Sequence, residues 1–178
     1  LFRRTLFGRK FGVGIVLHRM PNMQLLIGWR RTVNNLTPEP VYFSNEMGHK
    51  LFGMYHPPGK DLSRRQTAII LLSPGVKMRV APHRLYNGMA EHFASKGFPV
   101  LRFDFWGLGD SEGECQEKLL ADLYSEVQVG RYVQDTFSAM DWLTSEKGIK
   151  RFILGGLCGG AITGLLAGAE DPRCVGLL

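Results

Sequence analysis

From about Pro38 the chain alternates between short apolar runs and longer amphipathic segments. The runs PVYFS (40–44) and KLFGMYH (50–56) flank Asn45-Glu46-Met47-Gly48, a pattern that predicts two strands joined by a tight turn. TAIILLS (67–73) is continuously apolar and rich in β-branched residues, as expected of a strand buried on both faces. FPVLRFD (98–104) and RFILG (151–155) read the same way, and CVGLL (174–178) begins another strand. Helical patterns lie between them. Residues 83–97 place Leu85, Met89 and Phe93 at helical spacing, with Tyr86 and Ala90 beside them and Gly97 as a stop. Residues 117–146 read as mostly helical, with Val133, Phe137, Met140 and Leu143 on one face, and 161–170 form a helix of small residues. A hairpin followed by β-α-β-α-β-α-β predicts an α/β fold: a mostly parallel sheet with an antiparallel N-terminal hairpin and helices on both faces.

Charge divides the chain in two. The net charge of +6 arises near the N-terminus, where residues 1–36 hold Arg3, Arg4, Arg9, Lys10, Arg19, Arg30 and Arg31 and no acid. The remainder holds 15 basic and 16 acidic residues. Residues 1–37 therefore read as a basic N-terminal arm, and residues 38–178 as the folded portion. The arm has the composition of a disordered extension or of a contact with an anionic membrane surface. Its apolar runs, 11–17 and 23–29, are far shorter than the ~20 residues a membrane-spanning helix needs. A body without clustered bases gives no support to nucleic-acid binding. Three cysteines, Cys115, Cys158 and Cys174, do not form a disulfide framework, which points to a reducing, cytoplasmic setting. The five histidines show no metal-site spacing, and no cofactor is implied.

The candidate chemistry is Gly156-Leu157-Cys158-Gly159-Gly160, between a predicted strand and a predicted helix. It has the form G-x-nucleophile-x-G. In a nucleophile elbow the central residue holds a strained conformation on a sharp turn, and glycines two positions either side make room for crowded backbone. The helix N-terminus beneath the side chain favours negative charge, which for a cysteine favours the thiolate. With 22 glycines and three cysteines in 178 residues, G-x-C-x-G is expected by chance about 0.05 times, so its context carries the argument. A Rossmann dinucleotide site is a poor alternative: Cys158 stands where its central glycine must be, and the motif comes late in the chain.

From about residue 40 onward the chain resembles the α/β-hydrolase superfamily, near its monoacylglycerol-lipase-like and serine aminopeptidase branch. LLSPGVKMRVAPHRLYNGMAEHFASKGFPVLRFDFWGLGDSEGE is similar to that family's strand, oxyanion loop, helix, strand and D-x-x-G-x-G-x-S loop, and GGLCGGA falls where the family keeps G-x-S-x-G. Cysteine in place of serine is a departure, shared with dienelactone-hydrolase-like enzymes; GLC before a small-residue helix also resembles exosortase-associated hydrolases. The resemblance implies Cys158 as nucleophile and the Gly159 N–H as one oxyanion donor. It implies a second donor from Val76 or Lys77. It makes Asp104, Gly107, Gly109, Asp110 and Ser111 a structural turn. Lys77 and Arg79 read either as solvated loop charges or as recognition groups for an acidic substrate. The expected substrate is a small acyl ester, thioester or amide.

In this family the acid and the histidine follow the nucleophile. Residues 159–178 hold Glu170 and Asp171 but no histidine. The chain is accordingly expected to be the N-terminal portion of a longer hydrolase, with acid and base beyond Leu178 and with weak or no turnover as it stands. The competing expectation is a non-catalytic protein of the same fold, acting in binding or at a membrane surface.

Overall fold

The computed structural model describes residues 37–59 and 65–178. The basic arm, with the disorder or membrane contact expected of it, lies outside those residues. The described residues form one six-stranded sheet in the order β1-β2-β4-β3-β5-β6. Its strands are β1 (Glu39–Ser44), β2 (Lys50–His56), β3 (Thr67–Leu72), β4 (Val100–Phe103), β5 (Arg151–Gly156) and β6 (Cys174–Leu177). β1 pairs antiparallel with β2, and β2 antiparallel with β4; β3 pairs parallel with β4 and β5, and β5 with β6. The sheet is thus mostly parallel with an antiparallel hairpin at one side.

The apolar run of β3 divides between two cores. Ile70 and Leu72 join the larger core with α2 (Leu120–Gln128), α3 (Val133–Lys147) and α4 (Gly159–Glu170). Ile69 and Leu71 face the smaller one with α1 (Leu85–Ala94). Burial of both faces explains why β3, β4 and β5 lack the alternation of a half-exposed strand.

Three expectations are corrected. The helix expected over 83–97 begins at Leu85, after a 3-10 turn at Pro82–Arg84. It turns Tyr86, Ala90 and Ala94 inward, whereas Leu85 is 45% exposed. Two alanines on the buried face let the helix lie close to the sheet, so the inward stripe falls one position beyond the expected one. The helical segment expected over 117–146 is two helices, because Gly130 adopts φ +101°, a conformation that interrupts a helix and that glycine tolerates. β4 begins only at Val100, since Pro99 has no N–H for the ladder.

Buried polar groups on the sheet are paired. Arg102 on β4 donates through Nε to His56 Nε2 on β2 at 3.0 Å. Desolvation by burial, helped by the Arg102 charge, lowers the His56 pKa to about 4. Burial also lowers Arg102, to about 10.

Candidate active site

The turn from β5 into α4 occupies two residues, Leu157 and Cys158. Cys158 sits at its apex with φ 51° and ψ −121°, a sparsely populated conformation for a residue with a side chain. The thiol is exposed, whereas Cys115 and Cys174 are partly buried. Gly156 and Gly160 make this turn possible. A Cβ on Gly156 would lie 2.3 Å from the Gly160 carbonyl carbon, and one on Gly160 would lie 2.5 Å from the Leu72 carbonyl oxygen. These are backbone atoms that cannot move aside like a flexible side chain.

The loop after β3 lies directly against the turn. A Cβ on Gly159 would fall 2.6 Å from Gly75 Cα, so the loop touches the first residue of α4 through Gly75. In that loop the Lys77 N–H donates to the Pro74 carbonyl at 3.3 Å. Among the described residues nothing accepts from the N–H groups of Val76 and Gly159. Of the two donor candidates in this loop, Lys77 has its N–H engaged and Val76 does not. Gly159 is buried and opens α4, where N–H groups have no intrahelical partner, and Val76 is partly buried, so both N–H groups are open to an external acceptor.

Tyr86 joins the two segments. Its hydroxyl donates to the Leu72 carbonyl at 2.9 Å and accepts from the Leu157 N–H at 2.9 Å. Burial raises the pKa of this phenol, which the Leu157 bond only partly offsets, keeping it a neutral donor. No local pattern signals this role; the only cue is that a buried tyrosine requires a hydrogen-bond partner.

Asp104 is fully buried at the end of β4. It accepts from the Arg79 backbone N–H at 2.5 Å, from the Arg79 guanidinium, and from the Asp110 N–H at 3.1 Å. Arg79 also pairs with Asp110 at 2.7 Å and lies over the Phe52 ring at 4.3 Å. Ser111 Oγ donates to the Asp104 carbonyl and accepts from the Phe52 N–H. Neither reading of Arg79 survives: it is neither a solvated charge nor free to recognise substrate, because its guanidinium is held between two carboxylates. Asp104, Asp110 and Ser111 instead bind the 105–114 loop to the loop carrying Val76. Gly107 and Gly109 supply the positive φ angles of that loop, 74° and 59°.

An open cleft of about 560 Å³ lies beside this arrangement, lined by the Val76–Pro82 segment and Gly109. Lys77 is among its lining residues. His56 is paired within the sheet, and His49 lies against Trp106 with ring centroids 5.5 Å apart. Among the described residues no group of His, Cys, Asp or Glu is arranged to hold a metal ion, and no helix is long and apolar enough to cross a membrane.

A parallel sheet with a sharp glycine-flanked turn at the end of β5 and an opposed loop after β3 defines the class: the chain has the α/β-hydrolase fold. Solved structures bear this out. Esterase Pf2001 of Pyrococcus furiosus superposes with a TM-score of 0.64 at 23% identity, over 80% of this chain and 51% of that one. The α/β hydrolase GrgF of Penicillium sp. sh18 gives 0.62 at 26% identity, over 80% and 45%. XC6422 of Xanthomonas campestris, described as an a/b serine hydrolase without lid, gives 0.56 at 19%, over 75% and 56%. Among curated proteins, "Putative hydrolase YtaP" of Bacillus subtilis (strain 168) is 29% identical over 95 residues, covering 49% of this chain and 32% of that protein. No family model matches the sequence. The chain spans about half the length of these solved structures and about a third of the curated relative.

Proposed function

We propose that this chain carries the nucleophile and oxyanion half of a hydrolase acting on acyl ester, thioester or amide bonds. The observation behind this reading is the exposed Cys158 at a strained apex, beside two unpaired N–H groups on adjoining segments. In this reading the Cys158 thiolate attacks the acyl carbon. A C–S bond forms, the carbonyl π electrons move to oxygen, and the Gly159 and Val76 N–H groups stabilise the resulting oxyanion. The oxyanion then collapses, the bond to the leaving group breaks, and an acyl-thioester remains on Cys158. One such donor contributes about 3–4 kcal/mol of barrier lowering in characterised enzymes. The hydrolase reading agrees with the α/β-hydrolase neighbours and with the curated relative's description. The monoacylglycerol-lipase-like branch is part of the proposal.

A second reading is a binding module on the same scaffold, for which the basic residues of the N-terminal arm speak. Incubation with p-nitrophenyl acetate separates the two. The hydrolase reading expects release of one p-nitrophenol per chain and an acetyl group that peptide mapping places on Cys158, both lost in Cys158→Ala. Acetylation spread over lysines, unchanged in Cys158→Ala, supports the binding module.

A further inference from the structure

Between β3 and β5 the parallel ladder runs in register from Thr67 opposite Arg151 to Leu72 opposite Gly156. The next rung would bring the Leu72 carbonyl to the Leu157 N–H, but both groups bond instead to the same oxygen, Tyr86 Oη, at 2.9 Å each. Tyr86 is 1% exposed and comes from α1, 71 residues before Leu157. A side-chain hydroxyl therefore stands in place of one main-chain hydrogen bond.

The position is consequential. Leu72 is the last residue of β3, and the loop bearing Val76 springs from it. Leu157 immediately precedes Cys158. A direct N–H to carbonyl bond holds two strands ≈ 4.7–4.9 Å apart; an oxygen bonded to both groups holds them further apart. The parting falls where the chain of β5 must turn sharply and where α4 must enter beside the Leu72 and Ser73 carbonyls. The space is fully used, since a Cβ on Gly160 would lie 2.5 Å and 2.7 Å from those two oxygens.

We propose that Tyr86 is a positioning residue whose hydroxyl acts as a spacer rung between β3 and β5, setting the separation of the Val76 and Gly159 donors and the aim of Cys158. The functional half of this proposal rests on the hydrolase reading above. The structural half does not. Without the hydroxyl the two strand ends either close on each other or lose the bond, and in both cases the donors lose their spacing.

The test compares the parent chain with Tyr86→Phe, using Tyr132→Phe as a control that removes a phenol hydroxyl from another fully buried position. Two quantities are read: amide hydrogen exchange at Leu157, and the rate of Cys158 acetylation by p-nitrophenyl acetate as a function of ester concentration. In Tyr86→Phe, Leu157 should exchange about five- to tenfold faster, the size of one net hydrogen bond. The strand-centre amides of Ile70 and Leu154 should not change. The maximal acetylation rate should fall about tenfold or more, while the half-saturating ester concentration stays within about twofold, as for an interaction made in the transition state. Tyr132→Phe should alter neither quantity. Unchanged Leu157 exchange in Tyr86→Phe overturns the spacer, as does an equal loss of protection throughout β5, which would make Tyr86 ordinary core packing. Accelerated Leu157 exchange with an unchanged maximal rate overturns the positioning role while keeping the rung. If the parent itself is not acetylated at Cys158, the hydrolase reading and the positioning role fall, and the exchange data still decide the rung.

Discussion

Two glycine-rich turns sit at the same end of the sheet and differ in what they leave unpaired. In the turn after β4, the carboxylates are paired within the protein. Asp104 accepts from Arg79 and Asp110, Glu112 bonds the Lys50 N–H at 2.7 Å, and the Trp106 N–H is taken by Asp135 at 2.7 Å. The turn after β5 leaves the Gly159 N–H unpaired and places a thiol in solvent. Both need glycine, but for different reasons. In the first, glycines permit a compact loop that ties its neighbours together. In the second they admit crowding that holds one side chain in a conformation it would otherwise avoid. Paired carboxylates fit the first as scaffold, although the indole N–H of Trp106 stays buried without a partner; the exposed thiol and free main-chain N–H are what the proposed chemistry draws on in the second.

The comparison breaks if the first turn can lose its centre cheaply. Asp104→Ala leaves the Arg79 guanidinium, 13% exposed, without its buried partner and should cost about 3–5 kcal/mol in a denaturant titration. A loss below about 1 kcal/mol would make the loop a surface feature of the kind seen for exposed ion pairs.

A smaller effect probes the strand that feeds this loop. Arg102, two residues before Asp104, donates to a His56 whose pKa is lowered to about 4. Its ordinary value is about 6.5, so between these limits the unfolded chain binds the proton that the folded chain refuses. Stability from this group is therefore complete above pH 6.5 and is lost as pH falls through about 4. The full difference is roughly 3 kcal/mol. Subtracting the pH profile of His56→Gln, whose side-chain carbonyl still accepts from Arg102, should isolate that slope. Parallel profiles would contradict it.

The smallest effect sharpens the contrast. Cys158→Gly relieves the apex strain and should raise stability by about 1 kcal/mol, while abolishing acylation at the elbow. No position in the 105–114 loop that already holds glycine offers the same gain. A destabilised Cys158→Gly would show the thiol to be a packing group.

Much of this was legible in the sequence because it depends on local patterns. β3 and β5 announce themselves as apolar runs, the hairpin by its turn, and the β5–α4 corner by glycines two residues either side of Cys158. The joints between distant segments were not legible. Arg79 reads as a loop charge until folding brings Asp104 and Asp110 around it. Tyr86 reads as one apolar residue on a helix face until its hydroxyl reaches a carbonyl 14 residues before it and an N–H 71 residues after it. The break at Gly130 was visible as a glycine, but helical periodicity on both sides hid it.

The central claim is that the fold activates Cys158, and its most direct test is the rate of alkylation by iodoacetamide in the folded chain divided by the rate in the urea-unfolded chain. Each cysteine then serves as its own reference, so exposure alone cannot mimic activation. Cys158 should react faster folded than unfolded, by about tenfold or more, while the partly buried Cys115 and Cys174 react more slowly folded than unfolded. A ratio at or below one for Cys158 would mean that the elbow holds an ordinary thiol, and the hydrolase reading would be wrong.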